Sequence, residues 1–242
     1  IGRLFSAFSI GRNGNTGTFI IDANRLTMGP GQIVNLTGNS SQRLRFKNDM
    51  ALAPGTYVIN GYPDNQFIPG LILGGAISGA GAKFYSTGTG TLYLWGNNSF
   101  GGGVDILSGA VEANTASALG TGLVTLKGTL NTATLRLMSD LATNFGNSVA
   151  VASDSAIYVD GNTTNQTHSL GALSIGGWQT LNLTGNATRL YDLKFTGTTN
   201  LSGVGVLNTS TSGIDLTLGG LVTGTGGLVK IAPLEGEDLL FS

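Results

Sequence analysis

The sequence predicts an all-β chain wound as a parallel β-helix, a β-solenoid of roughly a dozen coils. Three observations carry this expectation. Apolar residues alternate with polar or small ones in bursts of three to six residues, the period of a strand with one buried face. Between the bursts stand Gly, Asn, Thr and Ser, the residues of tight turns. The bursts are also unevenly spaced: Leu94, Ile106, Val111, Val124 and Leu130 mark successive centres, so a long step alternates with a short one. The repeating sum implies a coil of about twenty residues, at the lower end of the range of solenoid repeats. A sandwich would show longer, evenly spaced strands with hairpin turns.

The elements follow in order. "TLYLW" (91–95), "VDIL" (104–107), "AVEA" (110–113), "LVTLKGTL" (123–130) and "TLRLM" (134–138) alternate cleanly. So do "AIYVD" (156–160), "TLNLTG" (180–185), "LYDLKF" (190–195), "GIDLTL" (213–218) and "GLVKI" (227–231). Helix signals are confined to "TASALGTG" (115–122), one turn at most, and "MSDLATNFGN" (138–147), where Ser139 could cap a turn. Both are too short to be stable helices by themselves. At one strand spacing per coil, the stack would form a rod roughly 55–60 Å long.

Composition agrees with stacking. Gly supplies 40 of 242 residues and charged residues only 10%, against roughly 7% and 25% in ordinary domains. Glycine relieves the Cβ clash where a corner needs φ > 0. Asn at a corner can bond backbone one coil away. Equivalent charges would stack like on like, so charge is disfavoured. Disorder is excluded, because Leu, Ile and Val recur along the whole chain.

The same numbers narrow the function classes. The formal net charge is −1, from 12 basic and 13 acidic residues. The densest basic run, "QRLRFK" (42–47), is far short of a nucleic-acid footprint and reads as a solvated strand edge. With no cysteine, disulfides and thiolate metal sites are excluded. No run of 18 apolar residues occurs, so no helical membrane span is expected. The first residue is Ile1, which points to a processed chain or a piece of a larger one.

Residues 74–128 resemble the autotransporter-associated β-strand repeat. Gly74-Gly75, Ile77, Gly79 and Gly81 match its opening. Gly90-Thr91-Leu92, Leu94, Gly96, Asn98, Phe100, Gly102-Gly103, Ile106 and Gly109 match its centre, and residues 118–122 ("ALGTG") match its tail. Phe84 and Thr87 stand near the repeat's usual L-x-K position, so that part is degraded. The opening recurs in "GGLVTGTGGLVK" (219–230), with Lys230 at the expected Lys, and then departs in "APLEGEDLLFS". The resemblance implies a right-handed parallel β-helix, as in the passenger regions of bacterial autotransporters. Their implied roles are adhesin, biofilm scaffold or stalk, on the cell surface or outside the cell. The expected organisation is one continuous domain: residues 1–73 as coils without a clear motif, 74–218 with the passenger-type repeat, and 219–242 as the start of a second repeat.

Candidate sites are few. His168 is the only histidine, and its setting in "NQTHSLG" reads as a turn. One His and no Cys leave hydrolase triads and zinc sites short of members. A glycosidase needs two carboxylates about 5–10 Å apart. The pairs to consider are Asp105 with Glu112, Asp154 with Asp160, and Asp192 with Asp215. Residues 101–105 carry half of a calcium repeat at most, and "DGN" (160–162) reads as a turn. The glycines of "SGAGAKF" and "STGTGTL" precede no helix, so they read as corners, not as a dinucleotide site. Tyr93, Trp95, Phe100 and Trp178 are candidate surface aromatics for glycan contact, the competing reading being that they pack under loops.

The expectation is therefore a non-enzymatic structural or adhesive rod with no cofactor and no metal. Its expected partners are glycans or a host or matrix surface, and its own copies or neighbouring segments of the parent protein through the solenoid ends. Two alternatives are kept open. A polysaccharide-binding or polysaccharide-degrading β-helix of tail-spike or lyase type would show a groove with two carboxylates and an Arg or Lys. An ice-binding face would show flat Thr rows, for which "TGTGT" (87–91) is the best segment.

Overall fold

Short parallel strands stack along one axis in the computed structural model of the chain, which describes residues 6–9, 20–23, 26–38, 43–63, 70–129, 132–186, 188–209, 214–231 and 238–242. A first face holds ten strands: Ser6–Ser9, Ile33–Gly38, Gly55–Pro63, Ala82–Gly88, Val104–Ile106, Val124–Leu126, Val149–Val151, Leu173–Ile175, Thr199–Leu201 and Val222–Gly224. A second face holds ten more: Ile20–Ala23, Arg43–Phe46, Gly70–Leu73, Thr91–Leu94, Ala110–Ala113, Ala133–Met138, Ser155–Asp160, Thr180–Gly185, Gly205–Asn208 and Leu228–Ile231. The third side is regular only in parts. It has the pair Met50–Ala51 and Ile77–Ser78, then the four strands Thr167–Leu170, Asp192–Phe195, Leu216–Leu218 and Leu239–Phe241. The strand pairings are parallel, and no helix occurs among the described residues. The chain is a parallel β-solenoid.

Alternation builds the core. In Ala133–Met138, Ala133, Leu135 and Leu137 point inward and are fully buried. Leu44, Leu71, Leu92, Val111, Leu135, Ile157 and Leu183 stack in one inward column, each directly over the last. Burying such a side chain contributes about 1.5–3 kcal/mol, and the stack repeats that gain in every coil. Beside this column the rings of Tyr57, Phe84 and Phe100 follow one another at 5.9 and 5.0 Å between centroids.

The coil length departs from the expected constant of twenty. Phe84, Val104 and Val124 are twenty residues apart, but Val124, Val149, Leu173, Thr199 and Val222 step by 25, 24, 26 and 23. The corners absorb the difference: three residues lie between Val151 and Ser155, and five between Ile175 and Leu181. Longer coils mean fewer of them. Each long sheet has ten strands among the described residues, spanning about 43 Å of axis.

Backbone crowding explains the glycines more fully than φ does. Gly109 has φ +67° and a Cβ there would also overlap the carbonyl of Gly90. Gly96 needs no unusual φ, yet a Cβ on it would overlap the Gly75 carbonyl in the neighbouring coil. "TASALGTG" forms turns, with Ala118 N–H on the Thr115 carbonyl and Gly120 N–H on that of Ser117. In "MSDLATNFGN", Met138 ends the strand Ala133–Met138 and the rest is irregular apart from a bridge between Asn144 and Ser169. Arg43–Phe46 is an interior strand of the second face, flanked by Ile20–Ala23 and Gly70–Leu73, rather than a sheet edge. Thr87 and Thr91 lie on different faces, so "TGTGT" turns a corner and forms no flat Thr row.

The two copies of the repeat opening share local form but not position. Residues 74–94 run from the third side to the first face and then the second. Residues 219–241 run from the first face to the second and then the third. The glycine that ends the short strand has positive φ in both, +141° at Gly79 and +122° at Gly224. The motif thus encodes a strand and a corner, not a particular side of the rod.

Candidate functional site

The four candidate aromatics separate sharply. Phe100 is fully buried in the ring stack against Phe84, so it is a core residue and not a surface one. Its place follows from Gly101 and Gly102, which let the corner press against Ala80 and Ala82. Tyr93 points outward from its strand but is only 7% exposed. Its ring leans over Gly70, where a Cβ would meet it at 2.5 Å, and Arg43 stacks on it at 4.3 Å. Burial pushes the Tyr93 hydroxyl pKa up. Trp95 is half-buried, set edge-on to Tyr93 at 6.0 Å, while the alternating neighbour Leu94 lies in the core. Trp178 is 77% exposed at a corner between the first and second faces.

Charge is concentrated in two outward clusters. On the first face, Asp105 is fully buried between Lys83 and Lys127, whose Nζ atoms lie 2.9 and 2.6 Å from its two oxygens. Burial alone would raise the Asp105 pKa, but the hydrogen bonds from Lys127 and Lys83 outweigh it and hold the carboxyl below its usual value. On the second face, Glu112, Arg136 and Tyr158 stand in register on adjacent strands. Arg136 Nε donates to Glu112 at 3.2 Å and its guanidinium lies 4.7 Å from the Tyr158 ring. The Tyr158 hydroxyl donates to Asp160, which also pairs with Arg189 at 3.0 Å. Opposite charges and rings alternate up this face, so the like-on-like penalty is avoided.

Other acidic residues serve as splices between coils. Asp49, Asp140 and Asp154 accept the backbone N–H groups of Ala76, Asn162 and Thr180 in the following coil. At the head of the third side, Asp192 accepts from Asp215 N–H at 3.1 Å and Asp215 from Asp238 N–H at 2.8 Å. Here like charges do stack, contrary to the expectation from composition. Burial and the neighbouring Asp215 charge raise the Asp192 pKa, against the lowering effect of the backbone hydrogen bond.

None of the three candidate acidic pairs forms an acid–base couple. Asp105 and Glu112 lie on different faces, Asp154 sits at a corner apart from Asp160, and Asp192 and Asp215 are bound to backbone. The second-face acids Glu112 and Asp160 are each paired to an arginine, two strands apart. Among the described residues no three acidic or His side chains gather as a metal site, and no helix is long and apolar enough to cross a membrane.

His168 is a core residue, not a turn. It lies on Thr167–Leu170, fully buried, between Phe145 at 5.6 Å and Tyr191 at 5.1 Å. Nε2 lies 3.5 Å from the Asp160 carbonyl, and Nδ1 has no hydrogen-bond partner. Burial lowers its pKa. The alternation His168–Leu170 could have revealed the inward position, but the apolar rhythm is broken by the histidine itself.

No protein-family model matches the sequence, and no curated protein or solved structure matches it either.

Proposed function

We propose that this chain is a segment of an exported bacterial surface protein, a right-handed β-helical rod that serves as a structural or adhesive, passenger-like element outside the cell. The observation that carries this reading is the unbroken parallel stack in which the second-face and corner carboxylates named above are committed to backbone or to a cation. Such a surface offers binding area and mechanical continuity, with no acid–base pair left over for polysaccharide cleavage among the carboxylates named above. The resemblance of residues 74–128 to the passenger repeat supports the location.

Contact through the ends belongs to the same reading. Val222–Gly224, Leu228–Ile231 and Leu239–Phe241 are the last described strands of their sheets. Leu221, Val229, Ile231 and Phe241 are exposed there, at 72%, 44%, 45% and 63%. Unpaired strand edge with apolar side chains favours another copy or a neighbouring segment of the parent protein.

The test is retention of the purified chain on immobilised surface and matrix polysaccharides, with released reducing ends and unsaturated products assayed in parallel. Retention without cleavage is expected. Cleavage of any of these polymers, or retention on none of them, overturns the proposal.

A further inference from the structure

Trp178 combines two unfavourable features. It is the most exposed large apolar side chain among the described residues, at 77%. It also has φ +59°, in the left-handed region. Bulky residues rarely adopt that region, and its cost persists only where the surroundings enforce it. The local sequence "GGWQT" (176–180) would form the same corner more readily with Gly or Asn at 178. Neither packing nor backbone preference accounts for tryptophan here.

The surroundings leave the ring uncovered. The corner has two residues more than the one in the coil before it and is as long as the one after it, between Leu201 and Leu207. Trp178 N–H is tied to the Val204 carbonyl at 2.6 Å, which fixes its backbone. Beside it runs a shelf of glycines from successive coils, Gly177, Gly203 and Gly226. A Cβ on Gly203 would overlap Gly177, and one on Gly226 would overlap Gly203. No side chain can grow from the last two over the shelf. At the root of the corner, the buried Gln179 Oε1 has no hydrogen-bond partner. The oxygen lies against Gly176, so what the corner presents is one flat aromatic face and a bare strip along the axis.

We propose that Trp178 and the glycine shelf form a platform for a neutral, β-linked pyranose polymer lying along the rod. The sugar's C–H face would stack on the indole and its hydroxyl groups would meet the backbone of the glycine shelf. A protein partner fits less well. The ring stands alone among glycines, whereas a stable protein interface buries about 800 Å² per side. This inference rests on the adhesive reading and narrows four candidate aromatics to one.

The experiment uses oligomers of β-linked glucose, xylose and N-acetylglucosamine. Binding is followed by calorimetry and by tryptophan emission in a Trp95→Phe background, where Trp178 is the only tryptophan. At least one oligomer is expected to shift the Trp178 emission, and Trp178→Ala to weaken binding by about tenfold or more. Trp178→Gly is expected to lose binding while raising the thermal midpoint, because glycine relieves the backbone. The platform is overturned if no oligomer shifts the emission, if Trp178→Gly lowers the midpoint, or if Trp178 instead drives self-association in sedimentation. If Trp178→Ala leaves retention on whole polysaccharides unchanged, the platform falls and the adhesive reading stands.

Discussion

Burial keeps the imidazole of His168 neutral, because a charge beside Phe145 and Tyr191 would have only the Asp160 carbonyl to answer it. The unfolded chain binds a proton near pH 6.5 and the folded chain at a lower pH, so the stabilisation is full above about pH 6.5 and drains away below it. The urea midpoint is therefore expected to fall between about pH 7.5 and pH 5. His168→Phe should remove that part of the slope. Asp105 works in the same direction at more acid pH. Its folded pKa is depressed, so its contribution is present above about pH 4 and lost as pH falls. Asp105→Asn should cost about 1–2 kcal/mol at neutral pH, discounted because both lysines are about a third exposed and can return to water. Asp192 has the opposite sign. Its raised pKa makes the folded carboxylate unfavourable at neutral pH, and protonation relieves this as pH falls. Asp192→Asn, which keeps an acceptor for Asp215 N–H, should raise the midpoint at pH 7 in chemical denaturation.

At the scale of the element, a coil is held to its neighbours by strand ladders on two sides and by side chains where the third side is irregular. Asn98 is the clearest case. Its Oδ1 accepts from Ile77 N–H at 2.8 Å and its Nδ2 donates to the Ala118 carbonyl at 2.6 Å, so one buried amide joins three coils. Asn98→Leu would strand both backbone groups, at a cost of about 1–3 kcal/mol measured by urea unfolding. Asn147 does similar work with the carbonyls of Gly120 and Gly122. This scale is also where the sequence was most legible. Alternation in "TLRLM" and "AIYVD" places the strands Ala133–Met138 and Ser155–Asp160 within a residue or two. Parallel stacking follows from spacing that allows no hairpins. The coil length did not transfer from residues 84–126 to the rest, because strand pattern says nothing about how many residues a corner holds. Nor could alternation tell Phe100 from Trp178: both stand next to glycine-rich corners, and only the direction of the turn sends one inward and the other out.

Across the whole molecule, stability is distributed coil by coil, and each coil touches only its neighbours. The rings of Tyr57, Phe84 and Phe100 form a three-ring cluster in the core, as do those of Phe145, His168 and Tyr191. Phe100→Ala is expected to cost about 3–5 kcal/mol. Hydrogen exchange should show the loss spreading from residues 82–126 rather than falling evenly along the chain. The coil that carries the exposed Leu221, Ile231 and Phe241 should exchange fastest in the isolated chain, and slow once that end is covered. The rotated second copy of the repeat opening has a geometric corollary. The two copies begin 145 residues apart, at Gly74 and Gly219, yet the later one starts a third of the way round the circumference. An array that kept this phase step would bring a given decoration back to the same azimuth only at every third copy. Such a fibre would present its motif in all directions, like a spiral stair, and could be approached from any side.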